Sequence, residues 1–219
     1  MAFHMNEFGV PKFRRLGTNV LVVHADGSRR LENQERIWRL HAAARALDGV
    51  CESVPGMNNL TLLYDERIAP DTLERRLREA WDMAVPVGAR SRTHVIEVRY
   101  GGTDGPDLAG VAAAAQLSER EVVRLHASTE YVVYFLGFQP GFAYLGDLDR
   151  RLYLPRRDVP RAVVPAGSVA VALHQTAIYP FASPGGWHII GRTDATVFDP
   201  LRSEALFAAG DRVRFREHA

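Results

Sequence analysis

Between Thr18 and Asp26 the run TNVLVVHAD is apolar and β-branched enough to predict a strand, after which the spacing of apolar residues changes. In NQERIWRLHAAARALDG, Ile37, Leu40, Ala44 and Leu47 share one face at helical spacing, and Gly49 supplies a stop. Strand-like GVCESV, the turn PGMNN and strand-like LTLLYD follow. PDTLERRLREAWDMA then returns to helical spacing through Leu73, Leu77, Ala80, Trp81 and Ala84, with RRLRE at 75–79 as its solvated face. The order β-α-β-β-α lacks one strand of a ferredoxin-like sandwich, which THVIEVRY, or a strand just before it, is expected to supply.

The second half has a different grammar. LSEREVVRLHAS reads as its one good helix, opened by a capping box of Ser118 and Glu121, with Val122, Leu125 and His126 on one face. The short runs EYVVYFL, SVAVAL, TAIYPF, WHIIGR, ATVFD and RVRFR, separated by Pro, Gly or Asp turns, are spaced as in a β-barrel or sandwich. The expected fold class is therefore α+β, with residues 10–90 a ferredoxin-like domain and residues 91–219 a β-barrel domain, divided near Arg90.

Composition removes several function classes. At 219 residues and 47% apolar the chain can bury a substantial core. Its 27 basic and 26 acidic residues leave a net charge of +1, with no footprint for nucleic acid or an anionic membrane. The single cysteine, Cys51, excludes an internal disulfide and a cysteine-built zinc site. Neither a signal peptide nor a spanning helix is indicated, so a cytoplasmic location is expected. Walker, dinucleotide, His-Glu-x-x-His and Gly-x-Ser-x-Gly motifs are all absent, and the histidines show no ligand spacing, so no metal site is expected.

What remains is a series of Gly/Pro-rich segments with polar groups in apolar settings: RYGGTDGPDL, FLGFQPGFAYLGDL, LPRRDVPRAVVPAGSV, HQTAIYP and SPGGWHIIGRT. In order and spacing these resemble the family that comprises allophanate hydrolase subunit 1, the B subunit of 5-oxoprolinase and the kinase A inhibitor KipI. The matching positions are Tyr100 to Gly102, Gly105 to Leu108, Leu136 to Leu145, Pro155 to Arg157, Val164 to Val169, Gln175 to Pro180 and Ser183 to Thr193. The resemblance implies a small α+β domain followed by a cyclophilin-like β-barrel. It also implies work with a larger C subunit of the KipA type and with an A subunit, in ATP-dependent opening of 5-oxo-L-proline to L-glutamate, with ATP handled mainly at the seam with the larger partner. No biotin site is expected in the chain, and alone it is expected to be inactive. Two alternatives stay open: inhibition of a sensor histidine kinase, and a carboxyltransferase role of the allophanate hydrolase or urea carboxylase type. Peptidyl-prolyl isomerisation, suggested by the barrel alone, is analogy of fold. The pattern departs from the family at Ala177, where glycine is usual, and at Leu173 and His174, where small residues are usual.

Candidate residues follow from side-chain chemistry. Gln175, with Thr176, offers an amide-reading donor and acceptor, or else caps a strand end. Arg192 holds a carboxylate or phosphate by its planar fork, or pairs with Asp194 or Asp199 across a hairpin. His126 is either a general base or a hydrogen-bonded core histidine. Phe138, Phe142, Tyr144, Tyr179 and Trp187 either line a substrate pocket and a partner surface, or cover a barrel end. Pro155 to Arg157 reads as a solvated or interface turn, or as a phosphate clamp.

Overall fold

The computed structural model describes residues 10–26, 31–83 and 91–218. They fall into two compact units, one within residues 1–89 and the other within residues 90–219. The boundary placed at Arg90, and Ala84 on the second helix, lie outside the described residues.

In the first unit the elements are β1 (Lys12–Leu16), β2 (Val20–His24), α1 (Leu31–Arg45), β3 (Val50–Gly56), β4 (Asn59–Tyr64) and α2 (Pro70–Asp82). The sheet order is β1-β2-β4-β3, antiparallel throughout. Period-two burial along β4 puts Leu60, Leu62 and Tyr64 on the covered face. There they meet Leu21 and Val23 of β2, Ile37, Leu40 and Ala44 of α1, and Leu73, Leu77 and Trp81 of α2. Pro70 begins α2 where its missing N–H has no bond to lose. One expectation is corrected here: Thr93–Tyr100 belongs to the second unit, and the sandwich takes its fourth strand from KFRRL, hairpinned onto β2.

The second unit runs β5 (Thr93–Tyr100), α3 (Leu108–Ala115), α4 (Glu119–Ser128), β6 (Glu130–Leu136), β7 (Ala143–Gly146), β8 (Arg161–Val164), β9 (Ser168–Ala172), β10 (Gln175–Ile178), β11 (Ser183–Gly185), β12 (His188–Arg192), β13 (Phe198–Asp199), β14 (Glu204–Ala205) and β15 (Arg212–Glu217). Seven of these close a barrel in the order β10-β7-β6-β15-β5-β12-β9, while β8 with β11 and β13 with β14 form separate ribbons. The α+β class therefore holds, with a closed barrel as its second part. The capping box is present, Ser118 accepting from Glu121 N–H while the Glu121 carboxylate accepts from Ser118 N–H. Helix α3 was not expected from the sequence. LAGVAAAA has no polar face to mark a helical period, yet alanine favours the helix, which Gln116 ends in a left-handed conformation at φ 56°.

All seven barrel strands contribute to one interior core, among them Val98, Tyr131, Leu145, Val171, Ile178, Ile190 and Phe215, joined by Val111 of α3 and Val122 and Leu125 of α4. The loop before α3 is stitched to β12, Gly101 N–H donating to Ile190 O and Asp107 N–H to Ile189 O. A β-carbon on Gly105 would stand 2.2 Å from Ile190 O and 2.5 Å from Gly101 N, so the Gly-Pro-Asp-Leu segment needs glycine for close approach. Gly105→Ala is expected to cost about 3 kcal/mol or more, since backbone must move, and a urea titration reads the shift.

Candidate functional site

Successive residues of a strand point to opposite faces, and this sorts the expected site residues into two groups. Val169 and Val171 of β9 and Ile178 of β10 point into the barrel, whereas Ala170, Ala172 and Ala177 belong to a second buried cluster on its outside. Three alanines make a low floor, so large rings can lie close to the sheet. Phe142, Tyr179, Trp187 and Ile189 fill that space, with Val164 of β8 beside them. Ala177 therefore sits in regular strand opposite Ala170, and its methyl group is part of the packing. The positive φ falls instead at Leu173, at 56°, in the turn joining β9 to β10.

The rings meet mostly edge to face. Phe142 lies 5.2 Å from Tyr179, 5.0 Å from Tyr144 and 5.9 Å from Trp187, and Tyr144 stacks on Phe135 at 4.2 Å. The two Gly/Pro/aromatic segments of the sequence thus converge, with Gln139 Nε2 also donating to Ser183 Oγ across them. The Tyr179 hydroxyl fills the place a β-carbon on Gly185 would need, 2.3 Å away, which accounts for the glycine in this turn. Phe142, Tyr179 and Trp187 are buried, so they form the floor; Phe138 and part of Tyr144 remain open. Phe138 is 63% exposed and holds a left-handed backbone at φ 70°, a conformation that costs a non-glycine residue about 1–2 kcal/mol.

Gln175 faces this outer side. It is 6% exposed, and its Nε2 has no hydrogen-bond partner, leaving a donor unsatisfied in a nearly dry setting. Gln175 pairs with Ala172 from one side of β9, and His188 pairs with Val171 from the other, with Trp187 in the bend just before β12. At ordinary strand spacing, the backbones of β10 and β12 stand about 10 Å apart across β9.

Two expectations change. Thr176, next to Gln175, faces inward, where it meets His126. His126 is fully enclosed: Nδ1 lies 2.7 Å from the Tyr100 hydroxyl, Nε2 2.9 Å from Thr176 Oγ1, and Thr176 donates onward to Ala170 O at 3.0 Å. The chain of bonds closes with neutral imidazole, Tyr100 donating and Nε2–H donating. Phe215 packs on the ring at 4.5 Å. Burial lowers the His126 pKa to about 3. Of the two readings left open, this geometry offers the core histidine. Arg192 is also displaced from Gln175: it pairs with Ser168, four residues from Ala172 along β9, and donates through Nε to Ala166 O. Asp194 is held by Arg99 instead.

A cluster built on Asp107 was not expected from the sequence. Its carboxylate accepts from Arg157 at 2.9 Å, from both Nη atoms of Arg161 at 2.7 and 2.8 Å, and from Ile189 N–H at 2.7 Å. Burial alone would raise this carboxyl, but hydrogen bonds from Arg161 and Ile189 and the charges of Arg161 and Arg157 outweigh it and hold it below the usual range. Arg156, immediately before the first of these anchors, is exposed and lies 6.0 Å over the Trp187 ring. Pro155 to Arg157 is thus a clamped turn that delivers one arginine to the aromatic face. The signal was present in Gly-Pro-Asp-Leu and Pro-Arg-Arg, but a separation of 50 residues hid their pairing.

Among the described residues no group of three or more His, Cys, Asp or Glu is placed to hold a metal ion, and no helix is long and apolar enough to cross a membrane. Residues 11–208 match the family described as carboxyltransferase domain, subdomain C and D. A protein of Escherichia coli O157:H7 described as the B subunit of 5-oxoprolinase is 48% identical over 91% of this chain and 93% of its own length. One of the same description from Bacillus subtilis is 40% identical over 80% of this chain and 81% of its own. The crystal structure of TTHA0988 superimposes with a TM-score of 0.78 at 40% identity, over 91% of this chain and 40% of that longer one.

Proposed function

From the premise that the chain belongs to the carboxyltransferase domain family of subdomains C and D, we propose that it is the B subunit of an ATP-dependent 5-oxoprolinase. The observation that carries this reading is the 48% identity, over nearly the full length of both chains, to a protein of that description. In this reading it works with a larger C subunit and an A subunit in the cytoplasm, opening the lactam of 5-oxo-L-proline to L-glutamate. Water is taken up, and ADP and phosphate are released. In TTHA0988 the matched part is 40% of the chain, leaving length for a fused partner.

A lactam amide is a poor electrophile, and ATP supplies the phosphoryl activation that makes its carbonyl carbon open to water. This chain has no phosphate-cradling Gly-Lys loop, so the triphosphate and its magnesium are assigned to the partner side of the seam. What the chain's own residues contribute is recognition. The unpartnered Gln175 Nε2–H donates to the lactam oxygen, and Oε1 is available to the ring N–H. Tyr144, over the buried floor of Phe142 and Trp187, shields these contacts from water, which strengthens them.

Co-expression with the A and C subunits tests the reading through phosphate release that depends on 5-oxoproline. Wild-type complex should turn over, and the isolated chain should not. Gln175→Ala should lower kcat/KM by about 10- to 100-fold, the loss of one buried hydrogen bond to a polar substrate. A complex that binds but hydrolyses no 5-oxoproline would reject the assignment.

A further inference from the structure

We propose that Arg156 is the residue that reads the carboxylate of the substrate, held in place over Trp187 by the Asp107 clamp. This rests on the 5-oxoprolinase reading and adds a specificity-determining residue to it. Three arginines lie in residues 155–161, and two of them are already committed: Arg157 and Arg161 share the Asp107 carboxylate. Arg156 has no ion pair among the described residues, and its guanidinium plane stays available beside the aromatic floor. The alternative cation, Arg192, stands at the other end of β9 and spends its Nε on Ala166 O.

Position and chemistry agree. Trp187, beneath Arg156, packs in the outer cluster that includes Ala172, and Ala172 is the strand partner of Gln175; β10 and β12 stand about 10 Å apart across β9. In this proposal the five-membered lactam lies across β9 with its amide at Gln175 and the carboxylate next to its nitrogen at Arg156. Arg156 also acts electrostatically on Tyr144 and Tyr179: burial raises both phenols, and its positive charge pulls each back in part. Each oxygen of the carboxylate then has a donor on the guanidinium fork, a geometry that lysine does not supply.

The reconstituted complex of this chain with the A and C subunits tests the inference using two substrates, 5-oxoproline and 2-pyrrolidinone, which is the same lactam without the carboxylate. Arg156→Gln should raise the KM for 5-oxoproline about 10- to 100-fold with kcat little changed, while turnover of 2-pyrrolidinone stays as in wild type. Arg156→Lys should recover only part of the loss. Because Arg156 is exposed, urea titration of each variant should match wild type. If Arg156→Gln keeps the wild-type KM, or loses both substrates equally, Arg156 does not read the carboxylate, although the 5-oxoprolinase reading stands. If wild-type complex hydrolyses no 5-oxoproline, both fall together.

Discussion

Lowering the pH from 7 to 4 should strip the C-terminal unit of several kcal/mol of stability, and His126→Gln should remove most of that loss. His126 is fully enclosed in the barrel with both ring nitrogens bonded, and burial lowers its pKa to about 3. An unfolded histidine titrates near ~6.5. Between these values the unfolded chain binds the proton and the folded chain does not, so stability rises with pH across that window. The contribution is therefore complete above pH ~6.5 and is lost as the pH falls toward 3, amounting to about 5 kcal/mol at most. Carboxylates titrate largely below ~4, which separates their acid sensitivity from this one.

Glutamine reproduces the donor toward Thr176 and the acceptor toward Tyr100 without an ionisable group. It leaves a small void beside Phe215, costing about 1–2 kcal/mol at neutral pH. His41 in the N-terminal unit is also lowered, by burial and then by the Arg45 charge, so both proteins keep a residual slope. The informative quantity is the difference between wild type and His126→Gln in urea midpoints at pH 7, 5 and 4. Parallel curves would show that His126 is protonated in the folded chain, and that its bonds to Tyr100 and Thr176 do not hold it neutral.

Much of the fold could be read from periodicity because the buried faces are simple. Leu60, Leu62 and Tyr64 alternate along β4, and Ile37, Leu40 and Ala44 recur at helical spacing along α1. The elements that escaped have no such contrast. β1 is an edge strand with four of its five residues exposed, and its pairing rests on backbone hydrogen bonds that leave no pattern in side chains. α3 is apolar on every side. For the candidate site, the glycines and prolines marked segments that the fold brings into close approach, as at Gly105 and Ile190 O. Which side chains share a face was only partly legible. Adjacent Gln175 and Thr176 must point apart on any strand, and that alone separates the outer group from His126. The distance between Gln175 and Arg192, by contrast, depends on the β9 register, which no local pattern encodes.

Asp107→Asn should destabilise the chain by about 2–4 kcal/mol and, in folded complex, raise the KM for 5-oxoproline. The substitution keeps the shape and an acceptor for Ile189 N–H, but removes the charge that two guanidinium groups share. Breaking a fully buried pair from one side costs about 3–5 kcal/mol; Arg157 and Arg161 retain 31% and 25% side-chain exposure, so water offsets part of this. The pH dependence has the sign of a depressed carboxyl. Its stabilisation is present above the unfolded value near ~4 and disappears as the pH falls through the lower folded value, beginning at the acid end of the His126 window. Asp107→Asn should therefore flatten the acid limb below pH ~4 and leave the limb between ~4 and ~6.5 unchanged. Since the same carboxylate fixes the two arginines that follow Arg156, releasing it lets the turn move off Trp187, and KM should rise while kcat changes less. A merely structural Asp107 would lower stability and the amount of folded complex without moving KM. An Asp107→Asn complex with wild-type KM would therefore leave the clamp as a stability element and dissociate it from substrate recognition.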